Sequence, residues 1–318
     1  MAFKVLVDYK LPAHLDLLSH LEVDVNGEER FLSSEEILAR IRDRDAVISL
    51  LTDKMDAAVM DAAPNLKLIS NYAVGFDNID VAEATRRGIV VTNTPDVLTY
   101  ATAEHTIALI LVAARRVVEA HEFVVAGKYH GWKPSLFVGT ELKGKTLGVI
   151  GLGRIGGKVA QMAHDAFEMK VIYNDPTLSN HDEFESRSIL DLLRESDVIT
   201  LHCPLNANTK HLIGAGQLAS LKDGAILINT ARGPVVDENA LIKELSRKRI
   251  FAALDVFENE QDVNAELLRQ PNLVATPHIA SASKEARAQM ALLAVKAVVD
   301  FAGGKTPEHV VNREVLKK

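Results

Sequence analysis

Short apolar runs of three to six residues alternate along the chain with longer stretches whose apolar positions recur every three or four residues. The runs predict strands over 4–8, 23–25, 46–51, 66–71 and 89–93, and a second series over 146–150, 171–174, 198–202, 225–229, 252–255 and 273–275. The longer stretches predict helices between them, one opened by a capping box in which Ser33 precedes Glu36. Strands alternating with helices predict an α/β fold of parallel sheets covered on both faces. Two long helices, over 99–116 and 283–301, lie where a domain junction falls. The second follows the last strand of the second series, so it is free to return the C-terminus to the first domain. Between the first helix and the second series, the polar, aromatic-bearing stretch 127–134 reads as an excursion from the compact body.

The strand over 146–150 runs directly into Gly151-Leu-Gly153-Arg-Ile-Gly156, and a helical pattern opens at Lys158. The next strand ends at Asp175, 19 residues past Gly156. Strand, glycine turn, helix and acid in this order form the dinucleotide-binding fingerprint. Gly151 permits the tight turn, Gly153 lets backbone approach a pyrophosphate, and Gly156 lets helix and strand pack closely. The unpaired N–H groups and the dipole of the helix start attract phosphate charge. A carboxylate at Asp175 accepts hydrogen bonds from both ribose hydroxyls and repels a 2′-phosphate. No Lys or Arg falls between Asp175 and Arg187 to offset that charge, which favours NAD(H) over NADP(H). The plainer reading of Asp175-Pro176 is a turn capped by its own aspartate.

The 318 residues suffice for two domains with real cores. A net charge of −7 argues against nucleic-acid and anionic-membrane surfaces. The longest apolar run, 107–114, is far short of the roughly 20 residues of a membrane span. The N-terminus enters a strand at once, without the regions of a signal peptide, and the expected location is cytoplasmic. Cys203, the single cysteine, makes neither an internal disulfide nor a thiolate metal site, and no metal is expected.

Three polar residues follow strands of the second series: Arg232 after 225–229, Glu260 after 252–255 and His278 after 273–275. Ligands of open α/β sheets gather outside the carboxyl ends of strands, so these residues are expected to face the same crevice as the glycine turn. Reduction of a ketone by hydride leaves an oxyanion that needs a proton, which a histidine can supply near neutrality. A carboxylate on the other ring nitrogen fixes the tautomer. An arginine fork binds a carboxylate bidentately and polarises the adjacent carbonyl. The set suits interconversion of a 2-oxo acid and a 2-hydroxy acid. Taken singly, each residue also reads as a solvated loop residue, and the pattern does not separate Glu258 from Glu260.

At these positions the chain resembles the D-isomer-specific 2-hydroxyacid dehydrogenase family. The matching segments are 71–80, 97–104, 144–156, His202-Cys-Pro-Leu, Ile228-Asn-Thr-Ala-Arg-Gly233, Ala253-Leu-Asp-Val-Phe257 and Thr276-Pro-His-Ile-Ala-Ser281. The stretches 51–54 and 94–99 look most like its glyoxylate/hydroxypyruvate reductase branch. The resemblance implies two Rossmann-like or flavodoxin-like domains with parallel sheets. Residues 1–98 and 285–318 would form a discontinuous substrate-binding domain, and 99–284 the NAD-binding Rossmann domain. It also implies that Arg232 holds the substrate carboxylate and carbonyl, that His278 is the acid/base, and that Glu260 rather than Glu258 is its partner. Backbone amides around Val74 and Gly75 would bind the substrate carboxylate. Thr99, Arg154, Ile155, Asp175, Cys203, Thr230 and Asp255 would line the cofactor site. A homodimer through the nucleotide domains is implied, with the Trp132 excursion in the contact. The chain departs from the family wording at Gln261, where many members carry proline, and at Glu168, where glycine is common.

Other functions share this fold. A phosphoglycerate dehydrogenase would want extra basic residues near the substrate, for which Lys54 is the one nearby candidate. A dinucleotide-sensing, corepressor-like binding protein would keep the same three polar residues. The segments expected to set substrate choice lie near Leu51, Lys54 and Tyr72.

Overall fold

The computed structural model describes residues 2–178 and 180–317. The chain divides into two compact units, Met1–Leu98 with Ala282–Lys318, and Thr99–Ser281.

In the first unit, β1 (Lys4–Val7), β2 (Glu22–Val25), β3 (Ala46–Ser49), β4 (Leu68–Asn71) and β5 (Val90–Thr92) form one sheet. Its order is β2-β1-β3-β4-β5 and every pairing is parallel, the flavodoxin-like arrangement. β3 and β4 are buried at every position, as parallel strands covered on both faces must be. The helix Lys284–Ala302, capped by Ser33's counterpart in role, Ser283, packs on this sheet. Ser70 Oγ donates to the Ala294 carbonyl at 2.9 Å, and the Tyr72 hydroxyl donates to the Arg287 carbonyl at 3.0 Å. Further on, Asn312 accepts from Val91 N–H and donates to the Ile89 carbonyl, both at 2.9 Å. These long-range bonds tie the C-terminal segment to β4 and β5.

In the second unit, β6 (Thr146–Ile150), β7 (Lys170–Asn174), β8 (Glu185–Ser186), β9 (Val198–Leu201), β10 (Ile226–Asn229), β11 (Phe251–Leu254) and β12 (Leu273–Ala275) form a parallel sheet. Its order is β12-β11-β10-β9-β6-β7-β8, so the direction of winding reverses beside β6. A crevice at the carboxyl end of that switch point is where such folds take ligands. β8 is an addition to the expected strands: its two residues are exposed and present no apolar run to read.

The helix expected over 99–116 is present and ends two residues early, and a further helix that the pattern did not predict follows it. Thr99–Ala114 ends where Arg116 turns left-handed at φ 54°, and a second helix, Val117–Val125, starts there. Arg116 is held by Glu119 at 2.6 Å and lies 5.3 Å from the centre of the Phe137 ring. Glu168 explains one departure from the family wording. It closes the helix Arg154–Phe167 in a left-handed conformation, φ 51°, the position that favours glycine.

Among the described residues, no helix is long and apolar enough to cross a membrane, and no three His, Cys, Asp or Glu are grouped to hold a metal ion.

Candidate active site

β6 delivers the glycine turn. Gly151 sits at φ +90°, and a Cβ there would lie 2.8 Å from Cys203 N and His202 C. A Cβ on Gly156 would lie 2.0 Å from the Gly151 carbonyl oxygen, so helix and turn are in direct contact. Packing within the protein therefore accounts for both glycines. Gly153 differs: it caps the helix Arg154–Phe167 with ordinary negative φ, and a Cβ on it would meet nothing within 4 Å. The space in front of Gly153, at a helix start whose dipole favours negative charge, fits an approaching pyrophosphate.

Asp175 lies just past β7, with both carboxylate oxygens oriented by protein. Oδ2 accepts from Leu152 N–H at 2.9 Å, inside the glycine turn; Oδ1 accepts from the backbone and hydroxyl of Thr177 at 2.8 and 2.7 Å. Burial raises its pKa, but the Thr177 and Leu152 bonds outweigh that and hold the carboxyl below its usual range. The turn expected on the plain reading is present, and the same carboxylate is fixed against the glycine loop.

Among the other residues of the expected cofactor set, Cys203, Thr230 and Asp255 are buried, Thr99 and Ile155 half-buried and Arg154 exposed. Burial pushes the Cys203 thiol up to about 11, which keeps it protonated. Burial drives the adjacent His202 down to about 3, and its neutral ring bonds Thr200 Oγ1 at 2.9 Å. The Thr230 hydroxyl meets Thr106 Oγ1 at 2.9 Å. Thr99 opens the helix Thr99–Ala114, and Arg154 and Ile155 form the first turn of the helix after Gly153.

Arg232, Glu260 and His278 leave the carboxyl ends of the adjacent strands β10, β11 and β12. Glu260 and His278 meet: Nδ1 lies 2.9 Å from Oε1 and 2.8 Å from Oε2. His278 stands at φ 52°, a conformation that non-glycine residues rarely adopt and that clusters at functional sites. Asp255 holds it there. The buried Asp255 carboxylate accepts from Thr276 Oγ1 at 2.6 Å, Ile279 N–H at 2.9 Å and Ala280 N–H at 2.8 Å. Its own carbonyl accepts from His278 N–H at 2.9 Å. His105 Nε2 lies 3.4 Å from Asp255 Oδ1. Burial raises the Asp255 pKa, but bonds from His105, Thr276 and the two amides prevail and hold it low. Asp255, expected as a cofactor contact, anchors the turn that presents His278.

Arg232 is extended; its Nη1 donates to the Ala231 carbonyl at 2.8 Å, and its own carbonyl accepts from Asn229 at 2.9 Å. Gly233 follows in negative φ, but a Cβ there would fall 1.9 Å from Phe257 C and O. The Arg232 loop lies directly on the backbone leading to Glu260. Glu258 turns elsewhere, to His211 at 2.6 Å. Nothing in the sequence pattern marks His211, Glu238 or His105 as part of this arrangement. In the first unit, Val74 and Gly75 follow β4, and their carbonyls accept from Asn93 and Asn71 at 2.8 Å each.

A profile of the D-isomer specific 2-hydroxyacid dehydrogenases, NAD binding domain, matches residues 107–280. The chain is 49% identical over 317 residues to a glyoxylate reductase of Aeropyrum pernix, covering 96% of this chain and 94% of that one. A crystal structure from Thermus thermophilus superposes with a TM-score of 0.92 at 42% identity, over 97% of this chain and 100% of that one. An Aquifex aeolicus D-lactate dehydrogenase solved with NAD and lactic acid gives 0.87 at 30% identity, over 97% and 99%. An NADPH-dependent glyoxylate/hydroxypyruvate reductase of Sinorhizobium meliloti, solved with NADP and malonate, gives 0.86 at 32% identity, over 99% and 98%.

Proposed function

The chain belongs to the D-isomer specific 2-hydroxyacid dehydrogenase family, and from that premise we propose that it reduces glyoxylate or hydroxypyruvate with NADH. The bond between His278 Nδ1 and the Glu260 carboxylate carries this reading. It commits Nδ1 to Glu260 and leaves Nε2 as the nitrogen that delivers or takes the substrate proton. When bound, a reduced nicotinamide supplies hydride to the carbonyl carbon. Arg232 holds the substrate carboxylate as a fork and polarises the neighbouring carbonyl oxygen. His278 then protonates that oxygen as its charge develops, and in the reverse direction takes the proton back. The amides following Gly153 hold the pyrophosphate, and Thr99, Arg154, Ile155, Cys203, Thr230 and Asp255 line the same cofactor site.

NADH is favoured because the Asp175 carboxyl is held in its charged form at neutral pH. It attracts ribose hydroxyls and repels a 2′-phosphate. NADH oxidation followed with glyoxylate, hydroxypyruvate, pyruvate and bulkier 2-oxo acids tests the assignment. Turnover of the first two is expected, and His278→Ala should lose about 10²- to 10⁴-fold while still binding NADH. Folded protein that binds NADH yet oxidises it with none of these acids would end the reading.

A homodimer is proposed from the surface of the second unit. The helix Val117–Val125 buries none of its side chains, and Val124, Val125, Tyr129, Trp132 and Val138 are exposed, Trp132 to 81%. Exposed apolar clusters of this kind mark protein interfaces. Light scattering should give twice the chain mass, and Trp132→Asp with Val125→Asp should shift it toward the monomer.

A further inference from the structure

Resting on the roles read above for Arg232, Glu260 and His278, we propose that His211 is a positioning residue that staples the Arg232 loop to the Glu260 loop. Its backbone belongs to the first loop. His211 N–H donates to the Pro234 carbonyl at 2.8 Å, Ile213 N–H to Val235 at 3.1 Å, and Asp237 N–H to Ile213 at 3.0 Å. Those contacts pin residues 211–213 along the segment two to five residues past Arg232. Its ring belongs to the second loop. Nε2 lies 2.6 Å from Glu258 Oε1, and Glu258 stands two residues before Glu260.

Glu258 is fixed from its other side as well. Its N–H donates to Glu238 Oε2 at 3.0 Å, and Glu238 N–H points back to Glu258 Oε1 at 3.4 Å. Glu238 is buried at the start of the helix Glu238–Ser246, where its carboxyl is pushed up by burial and by the nearby Glu258 charge. Two carboxylates placed this close repel one another, and an N–H donor from His211 on Glu258 relieves that. The staple acts beside the contact of Gly233 with Phe257, so the loops are joined at a backbone contact and at a side-chain pair.

The His211–Glu258 pair is partly exposed, with 44% and 31% of the two side chains accessible. Pairs so exposed contribute little to stability. Its loss should therefore show in the geometry of the loops rather than in unfolding.

The test is steady-state kinetics with glyoxylate and NADH on His211→Ala, His211→Gln, Glu258→Ala and the His211→Ala/Glu258→Ala double variant, with thermal midpoint and NADH affinity measured for each. His211→Ala is expected to lower kcat/KM for glyoxylate at least tenfold, with NADH affinity within twofold of the parent. His211→Gln, which keeps an N–H near Nε2, should recover most of it. The double variant should be no worse than either single one. Parent-like kcat/KM in His211→Ala, losses that multiply in the double variant, or no recovery in His211→Gln would each overturn the proposal. If His211→Ala does not fold, Glu258→Ala must show the same tenfold loss, and parent-like kinetics there overturns it equally. His278→Ala separates the two readings. If it is inactive while His211→Ala is normal, only the staple fails; if it retains full turnover, the underlying assignment fails.

Discussion

Asp255 holds His278 twice over, once by accepting from its backbone N–H and once through the residues on either side of it. The Asp255 carbonyl accepts from His278 N–H at 2.9 Å, while its carboxylate takes Thr276 Oγ1 and the amides of Ile279 and Ala280. A left-handed histidine is costly on its own, on the order of 1–3 kcal/mol, and persists where its surroundings over-determine it. Asp255 supplies that over-determination.

Asp255→Asn should therefore misplace His278 rather than remove it. An amide facing the two backbone N–H groups presents one acceptor where two are needed, which costs about 1–3 kcal/mol. The expected result is a lower thermal midpoint together with a kcat reduced tenfold or more. A variant that loses stability but keeps its kcat would show that the turn is not what holds the imidazole in place.

Gly233 gives a sharper steric test. In Gly233→Ala the new Cβ would fall 1.9 Å from the backbone of Phe257, and neither partner is a flexible side chain. The loops carrying Arg232 and Glu260 must separate, with an overpacking cost of about 1–3 kcal/mol. Because Arg232 is read as the carboxylate fork, KM for the 2-oxo acid should rise at least tenfold. NADH affinity should change less, since the glycine turn after β6 is remote in sequence and held by its own contacts. Equal loss of both would mean general unfolding and not loop displacement.

Parts of this arrangement are legible in the sequence for physical reasons. The glycine turn is a local device, written in consecutive residues, and each strand run announces the polar residue that follows it. The direction of a side chain on a loop is not local. Glu258 and Glu260 look alike in the chain, yet one turns to His211 and Glu238 and the other to His278, partners set by the whole fold. His105 is hidden inside an apolar helix pattern, and nothing nearby announces that it backs Asp255. The break at Arg116 has neither glycine nor proline to mark it, and β8 has no apolar residue at all.

Asp175→Ala tests the choice of nicotinamide. Removing the carboxylate abolishes the repulsion of a 2′-phosphate and one acceptor for the ribose hydroxyls. The kcat/KM ratio of NADH to NADPH should fall, by roughly tenfold if one charge-assisted hydrogen bond of about 1.4 kcal/mol or more is lost. Part of any loss will come from the Leu152 amide, which the carboxylate also orients. Asp175→Asn separates the effects, because it keeps an acceptor for Leu152 while removing the charge. An unchanged cofactor ratio in both variants would assign the preference elsewhere.

In the first unit Asp8 directly follows β1 with 1% exposure and, among the described residues, neither of its carboxylate oxygens has a hydrogen-bond partner. Burial, then the charge of neighbouring Asp53, push its pKa well above the ordinary carboxylate range; Asp24 adds to this and Arg40 opposes it. Asp53 is itself raised by burial, although Leu50 N–H donates to it at 2.6 Å. The folded state therefore keeps a proton that the unfolded chain releases above about 3.9. Stability from this group is complete below that pH and is lost as pH rises toward the folded pKa, by about 1.4 kcal/mol per pH unit over that window. Asp8→Asn replaces the titrating carboxyl with a permanently neutral amide near Asp53. Its urea midpoint should exceed the parent's by more at pH 8 than at pH 4.5, with the gap opening between the two pKa values. A constant offset across that range would mean that Asp8 titrates in the folded protein as it does in the unfolded chain, and that its burial is relieved by water.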